Sequence, residues 1–288
     1  MSRSRLWLVI GLLALFATAF VAAGCGDDDD DDDGGEATTA AAGDIQTIEE
    51  GVLSVGTDAP YPPFLLGTPD DPDFSGYEVE IFNAIAEDLG YEVKYTNTGF
   101  GTIFRDTANG LFDTAVASST ITPGRERTVD FTDPHYEAQQ ALLVPEDSDV
   151  ASVDDLGGVI VGAQDGTTGE AYANDETDAS EVRGFPQGPD AISALITGQV
   201  DAVIIDQPVA QDAVEKQGGV EIVEVIQTNE LYGFAVAPDN DGLREAINGA
   251  LATLKEDGTL EELYDKYFAT TPPESVAAGS TNELLTDD

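Results

Sequence analysis

The chain has 288 residues, 41% of them hydrophobic, which is enough to bury one large core or two compact ones. One His, one Cys and one Met leave little material for a metal site, and a lone Cys excludes an internal disulfide framework. The formal net charge of −46 excludes nucleic acid and anionic lipid as partners of the surface.

In chain order, the first segment is a targeting signal. Arg3 and Arg5 form a short basic region, Leu6 to Ala23 form an apolar run, and Ala22, Ala23 and Gly24 precede Cys25. The position of that Cys resembles the lipobox of bacterial lipoproteins, with Ala22 where Leu is usual. The resemblance implies lipidation of Cys25 and removal of residues 1–24. An uncleaved transmembrane anchor is the competing reading, since about 18 apolar residues can just span a bilayer. Either reading puts the remainder outside the cytoplasm.

Residues 25–44 read as a disordered acidic tether. Asp27 to Asp33 are consecutive like charges that repel and extend the chain, and the Gly/Ala/Thr-rich stretch that follows carries no large apolar residue. A calcium loop would need turn-forming residues at fixed spacing, which the run lacks.

From Val52 onward, short apolar strands alternate with amphipathic helices. Strands are predicted at Val52–Thr57, Val93–Asn97, Thr114–Ser118, Ala141–Val144, Val159–Ala163, Ala202–Ile205, Glu221–Val225 and Tyr232–Val236. Helices are predicted at Tyr77–Leu89, stopped by Gly90, and at Phe100–Asn109, Pro189–Thr197, Pro208–Lys216, Asp241–Asp257 and Leu260–Phe268. The alternation implies an α/β fold of mostly parallel sheets flanked by helices. Gln139–Val144 and Asn229–Phe234 are candidate crossovers between two sheets. Lobe one would then comprise 45–140 and 234–270, lobe two 141–233, and a flexible tail 271–288.

Three polar segments follow predicted strands: Gly56 to Phe64, Ala117 to Arg125, and Gln164 to Thr168, the last joined later by Ile205 to Pro208. Ligands of open α/β sheets bind at such strand ends. Arg125 can hold a carboxylate bidentately, and Asp206 can hold an ammonium. Two blander readings stand beside these: Arg125 paired with a neighbouring acid, and Asp206 capping the helix at Pro208.

These segments, together with Leu254 to Leu260 and Tyr264 to Phe268, resemble the polar amino-acid-binding proteins of ABC transporters, solute-binding family 3. The resemblance runs in order from about Val52 to Phe268 and implies a two-lobed periplasmic-binding-protein fold of type II with two crossover hinges. It implies that Arg125 grips a ligand α-carboxylate beside Ser119, Thr120 and Thr168, while Asp206 and the Ser118 carbonyl take the α-ammonium. Tyr61 and Phe100 would sandwich the side chain, with Asp58 near its far end. His135 stands where the family often has an aromatic residue; it reads as a surface residue, with contact to the ligand as the alternative.

The resulting expectation is a monomeric lipoprotein, held by Cys25 to the outer face of the cytoplasmic membrane. It would take up a free polar or basic amino acid without a cofactor and deliver it to an ABC permease. The resemblance also admits a cyclohexadienyl-dehydratase-like enzyme, for which His135 is the only histidine available, and an amino-acid-sensing ligand domain. The acidity predicts adaptation to a salty or acidic exterior, where screening or protonation relieves self-repulsion.

Overall fold

The strand–helix alternation builds two separate five-stranded sheets in the computed structural model, which describes residues 45–277. The apolar leader, Cys25 and the acidic tether lie outside those residues. Along the chain, β1 (Val52–Thr57), α1 (Tyr77–Leu89), β2 (Glu92–Asn97), α2 (Phe100–Ala108), β3 (Thr114–Ala115) and β4 (Asp130–Phe131) lead to a long strand, β5 (Tyr136–Pro145). Next come β6 (Ile160–Gln164), α3 (Thr168–Asp175), β7 (Glu181–Phe185), α4 (Gly188–Ile196), β8 (Ala202–Asp206) and α5 (Gln207–Lys216). A second long strand, β9 (Val220–Tyr232), then precedes β10 (Ala235–Val236), α6 (Asp241–Glu256), α7 (Thr259–Phe268) and the single turn α8 (Glu274–Ala277).

The first sheet has the order β2-β1-β3-β10-β4 and the second β7-β6-β8-β5-β9. Strands joined through a helix pair in parallel: β1 with β2 and β3, and β6 with β7 and β8. β5, β9 and β10 pair antiparallel with their neighbours. The expected parallel pattern therefore holds within the βαβ units. It reverses at strands that carry the chain between sheets, because these enter from the opposite end. β5 leaves the first sheet and β9 returns to it, so both predicted crossover segments fall on these strands.

The apolar face of α1 supplies Val79, Phe82, Ile85 and Ala86 to the core, and Gly90 ends the helix in the left-handed region at φ 77°. Gly76 ahead of α1 has φ 125°, and a Cβ there would sit 2.2 Å from the Phe64 carbonyl oxygen. Only glycine lets the helix approach the loop after β1 that closely. Phe64 in that loop is fully buried, with its ring centre 4.9 Å from Tyr136 and 5.5 Å from both Tyr232 and Phe268. Tyr136 and Tyr232 are register partners on β5 and β9, so this aromatic cluster grips both crossover strands at their base.

Three elements depart from expectation. β7 carries Glu181, Arg183 and Gly184 on a half-exposed sheet edge, and it gives no alternating signal. α3 is signalled only at its first residue, because it buries just Gly169 and Ala173. Within the span 271–288 expected to be a tail, α8 docks, with Val276 fully buried and the Ser275 hydroxyl donating to Glu137 of β5. Among the described residues no helix is long and apolar enough to cross a membrane.

Candidate functional site

The ends of β1, β6 and β8 meet the loop after β3 in one cleft between the sheets, lined by Asp58, Tyr61, Phe100, Ser118, Thr120, Arg125, Thr168 and Asp206. Every predicted binding residue except Ser119 lines it; the Ser119 hydroxyl donates instead to the Ala117 carbonyl at 3.4 Å. The cleft encloses only about 10 Å³, room for about one water. A free amino acid does not fit that space as it stands.

Asp206 sits where α5 begins, yet its carboxylate makes no capping hydrogen bond, which sets aside the capping reading. It accepts instead from the Tyr61 hydroxyl across the cleft and from Gln140 Nε2 at 2.5 Å. Burial pushes its pKa up to about 6, and the charge of Glu230 adds to the rise. Asp58 accepts from Gln164 Nε2 at 2.6 Å and Gln187 Nε2 at 3.5 Å. Burial raises it too, and the two amides oppose the shift.

Arg125 starts a short 3₁₀ turn and donates to the Thr120 carbonyl at 2.7 Å and, from the other sheet's side, to the Gly166 carbonyl at 3.2 Å. Its guanidinium carbon lies 5.0 Å from the Phe100 ring centre and 4.8 Å from that of Phe104. None of the ion pairs among the described residues involves Arg125, which sets aside the reading that it pairs with a neighbouring acid.

His135 is not a surface residue. It is fully buried, stacked on Phe234 at 4.1 Å between ring centres, with Nε2 2.8 Å from Glu78 Oε1. The other oxygen of Glu78 accepts from the Ser118 N–H at 2.7 Å and from its hydroxyl at 3.1 Å. Ser118 has φ 48°, a left-handed conformation costly for a non-glycine residue, and Glu78 holds it there. His135 therefore reaches the cleft only through Glu78.

Glu230 on β9 is 8% exposed; it lies in the predicted crossover Asn229–Phe234 but in none of the predicted binding segments. One of its oxygens accepts from both the Thr120 hydroxyl (2.6 Å) and the Thr168 hydroxyl (2.7 Å). The other accepts from Gln140 Nε2 at 3.0 Å. Beyond this carboxylate lies a further cavity of about 620 Å³, lined among others by Thr120, Thr168, Tyr172, Asn229 and Arg244. A signal for Glu230 exists in the sequence: it falls on the buried stripe that carries Ile226 and Tyr232, where an acid is unexpected. Glu78 likewise stands inside the buried face of α1.

The site thus opposes one guanidinium to three carboxylates, Asp58, Asp206 and Glu230, in a space walled by Tyr61 and Phe100. Such a set can orient a small zwitterion by its two charges. The profile of the family described as bacterial extracellular solute-binding proteins, family 3, matches residues 53–270. The ABC transporter glutamine-binding protein GlnH of Bacillus subtilis (strain 168) is 32% identical over 92% of this chain and 98% of its own. Among solved structures, an ancestral arginine-binding protein bound to glutamine is 36% identical, with a TM-score of 0.73 over 77% of this chain and 100% of that one. An ancestral amino acid-binding protein that is a precursor of cyclohexadienyl dehydratase is 34% identical, with a TM-score of 0.71 over 76% of this chain and 96% of that one.

Proposed function

The chain belongs to the bacterial extracellular solute-binding proteins, family 3, and from that premise we propose that it captures a free polar or basic amino acid for an ABC permease. The observation that carries this reading is the meeting of Arg125 and Asp206, from opposite sheets, in one small cleft walled by Tyr61 and Phe100. Arg125 takes the α-carboxylate, with Thr120 and Thr168 beside it. Asp206 and Ser118 take the α-ammonium. The two rings enclose the side chain, whose end reaches Asp58.

Residues 45–140 with 234–270 move as one lobe, and 141–233 as the other, about the hinges on β5 and β9. Ligand bound to the open form favours closure because groups of both lobes then contact it. An amino acid has about ten heavy atoms, so a micromolar Kd, about −8 kcal/mol, is within reach. The enzyme alternative would need an acid or base at the reacting atom; His135 is engaged by Glu78 and does not line the cleft, and this reading gives the two carboxylates that do, Asp58 and Asp206, to the ligand's side chain and ammonium.

Cys25 carries a lipid after removal of residues 1–24, and the Asp-rich segment holds a monomeric receptor off the membrane. Mass spectrometry of the membrane fraction tests the anchor: an unmodified Cys25, or a retained leader, would refute it. The ligand class is tested by thermal shift with the twenty amino acids, since a bound solute raises the melting temperature by mass action. A flat response across the set would sink the proposal.

A further inference from the structure

We infer that Glu230 is a latch between the lobes and a positioning residue that makes the cleft demand an α-ammonium; the inference rests on the amino-acid reading above. Glu230 lies on β9, the strand that returns from the second sheet to the first, and it is almost completely buried. Thr120 belongs to the loop after β3, on the first sheet's side, and Thr168 opens α3, on the second's. A single carboxylate oxygen receives both hydroxyls, at 2.6 and 2.7 Å. Parting the lobes must break at least one of these charge-assisted bonds, so the pair contributes to the closed form and to no open one.

An ionised carboxylate only accepts, so Thr120 and Thr168 must each direct their single O–H hydrogen to Glu230. Each hydroxyl oxygen then has only lone pairs left, one of those on Thr168 facing Gln140 Nε2 at 3.4 Å, and both residues also line the cleft. A ligand group meeting those oxygens is welcomed if it donates and opposed if it accepts. An ammonium donates; a carboxylate accepts. The α-carboxylate is thereby directed away from the two hydroxyls and towards Arg125, whose guanidinium has no carboxylate partner among the described ion pairs. The two threonines flank that carboxylate without their hydroxyls bonding it.

Gln140 fixes the other half of the arrangement. Its Nε2 donates to Glu230 at 3.0 Å and to Asp206 at 2.5 Å, linking the latch to the acid that faces the ammonium. The two oriented hydroxyls and the Asp206 carboxylate are thus tied into one hydrogen-bonded set through Glu230 and Gln140. Glu230 need not touch the solute to do this.

The test compares wild type with Glu230→Gln by calorimetry at neutral pH. The probes are L-arginine and L-glutamine, each alongside its counterpart lacking the α-amino group, 5-guanidinopentanoate and glutaramate. The substituted amide donates as well as accepts, so the hydroxyls regain the freedom to donate. Expected for the variant is a loss of about ten-fold or more in affinity for the amino acid, the scale of a charged hydrogen bond. Affinity for the amine-free counterpart is expected to hold or improve, so the preference for the ammonium collapses. A merely structural role would weaken both probes equally. Glu230→Asp, which keeps an acceptor-only group, should restore much of the preference. Should Glu230→Gln fail to fold, Thr168→Val removes one of the oriented hydroxyls and should relax the same ratio. An unchanged ratio in a folded variant overturns the latch. Wild type that binds neither amino acid overturns the reading beneath it, a distinct result.

Discussion

Two buried glutamates support the cleft, and they differ in where their partners live. Glu78 holds Ser118 and His135, both of which lie on the first sheet's side of the hinge. Glu230 holds Thr120, Thr168 and Gln140, which come from both sides. If the lobes open as proposed, the Glu78 network can stay intact, whereas the Glu230 network must break and re-form. One acid then supports the binding loop, and the other ties the two sides together.

The largest effect that would test this contrast is on stability. Glu78→Ala leaves His135 and the strained Ser118 without their partner in a dry core, at a cost of about 3 kcal/mol. Denaturant unfolding should show that loss with or without amino acid present; a change under about 0.5 kcal/mol would deny Glu78 its supporting role. Arg125→Ala acts on the other side of the contrast. It leaves a ligand carboxylate unpaired, weakening binding by about 2–3 kcal/mol. Near-normal affinity by calorimetry would remove Arg125 from the site.

Acidity gives a smaller effect. Asp206 titrates at about 6 in the folded protein, above the ordinary value of 3.8. Below that pH the carboxyl is neutral and must lose its proton to pair with an ammonium. Affinity should therefore fall between pH 7 and pH 5, by at most about ten-fold per pH unit. The same raised pKa has the opposite sign for the empty protein. The folded state then binds more protons than the unfolded one, so this carboxyl favours folding as pH falls from 7 towards 5. Calorimetry in buffers of different ionisation heat at pH 5.5 should detect proton release on binding; no release would exclude Asp206 as the ammonium partner.

Salt should separate the buried carboxylates from the exposed ones most gently. A charge of −46 repels itself across the surface, and salt screens that repulsion while leaving buried pairs largely untouched. Melting temperature is expected to rise by a few degrees between low salt and about 1 M. A fall would argue against adaptation to a salty exterior.

Much of the scaffold was legible because its signals are local. The apolar stripe of α1 and its Gly90 stop, and the runs of β1 and β8, predict their elements closely. The cleft residues were legible through position at strand ends and through family resemblance. What escaped are residues whose role comes from partners far along the chain: Glu78 to His135, Gln140 to Asp206, Glu230 to Thr120. No window of sequence contains both members of these pairs. His135 misled for the same reason, since a lone histidine in a turn looks exposed until Phe234 covers its ring. β7 escaped because an edge strand needs no apolar stripe on its open side.

The closed cleft, with its room of about 10 Å³, carries a consequence for time rather than affinity. On the proposed reading, a solute held between the lobes leaves when they part about β5 and β9. The opening rate is then the release rate, set by protein motion and shared by every solute the cleft accepts. A permease that pries the lobes apart on docking would empty the receptor on its own schedule, and a cargo held for long in free solution would still be surrendered promptly at the membrane.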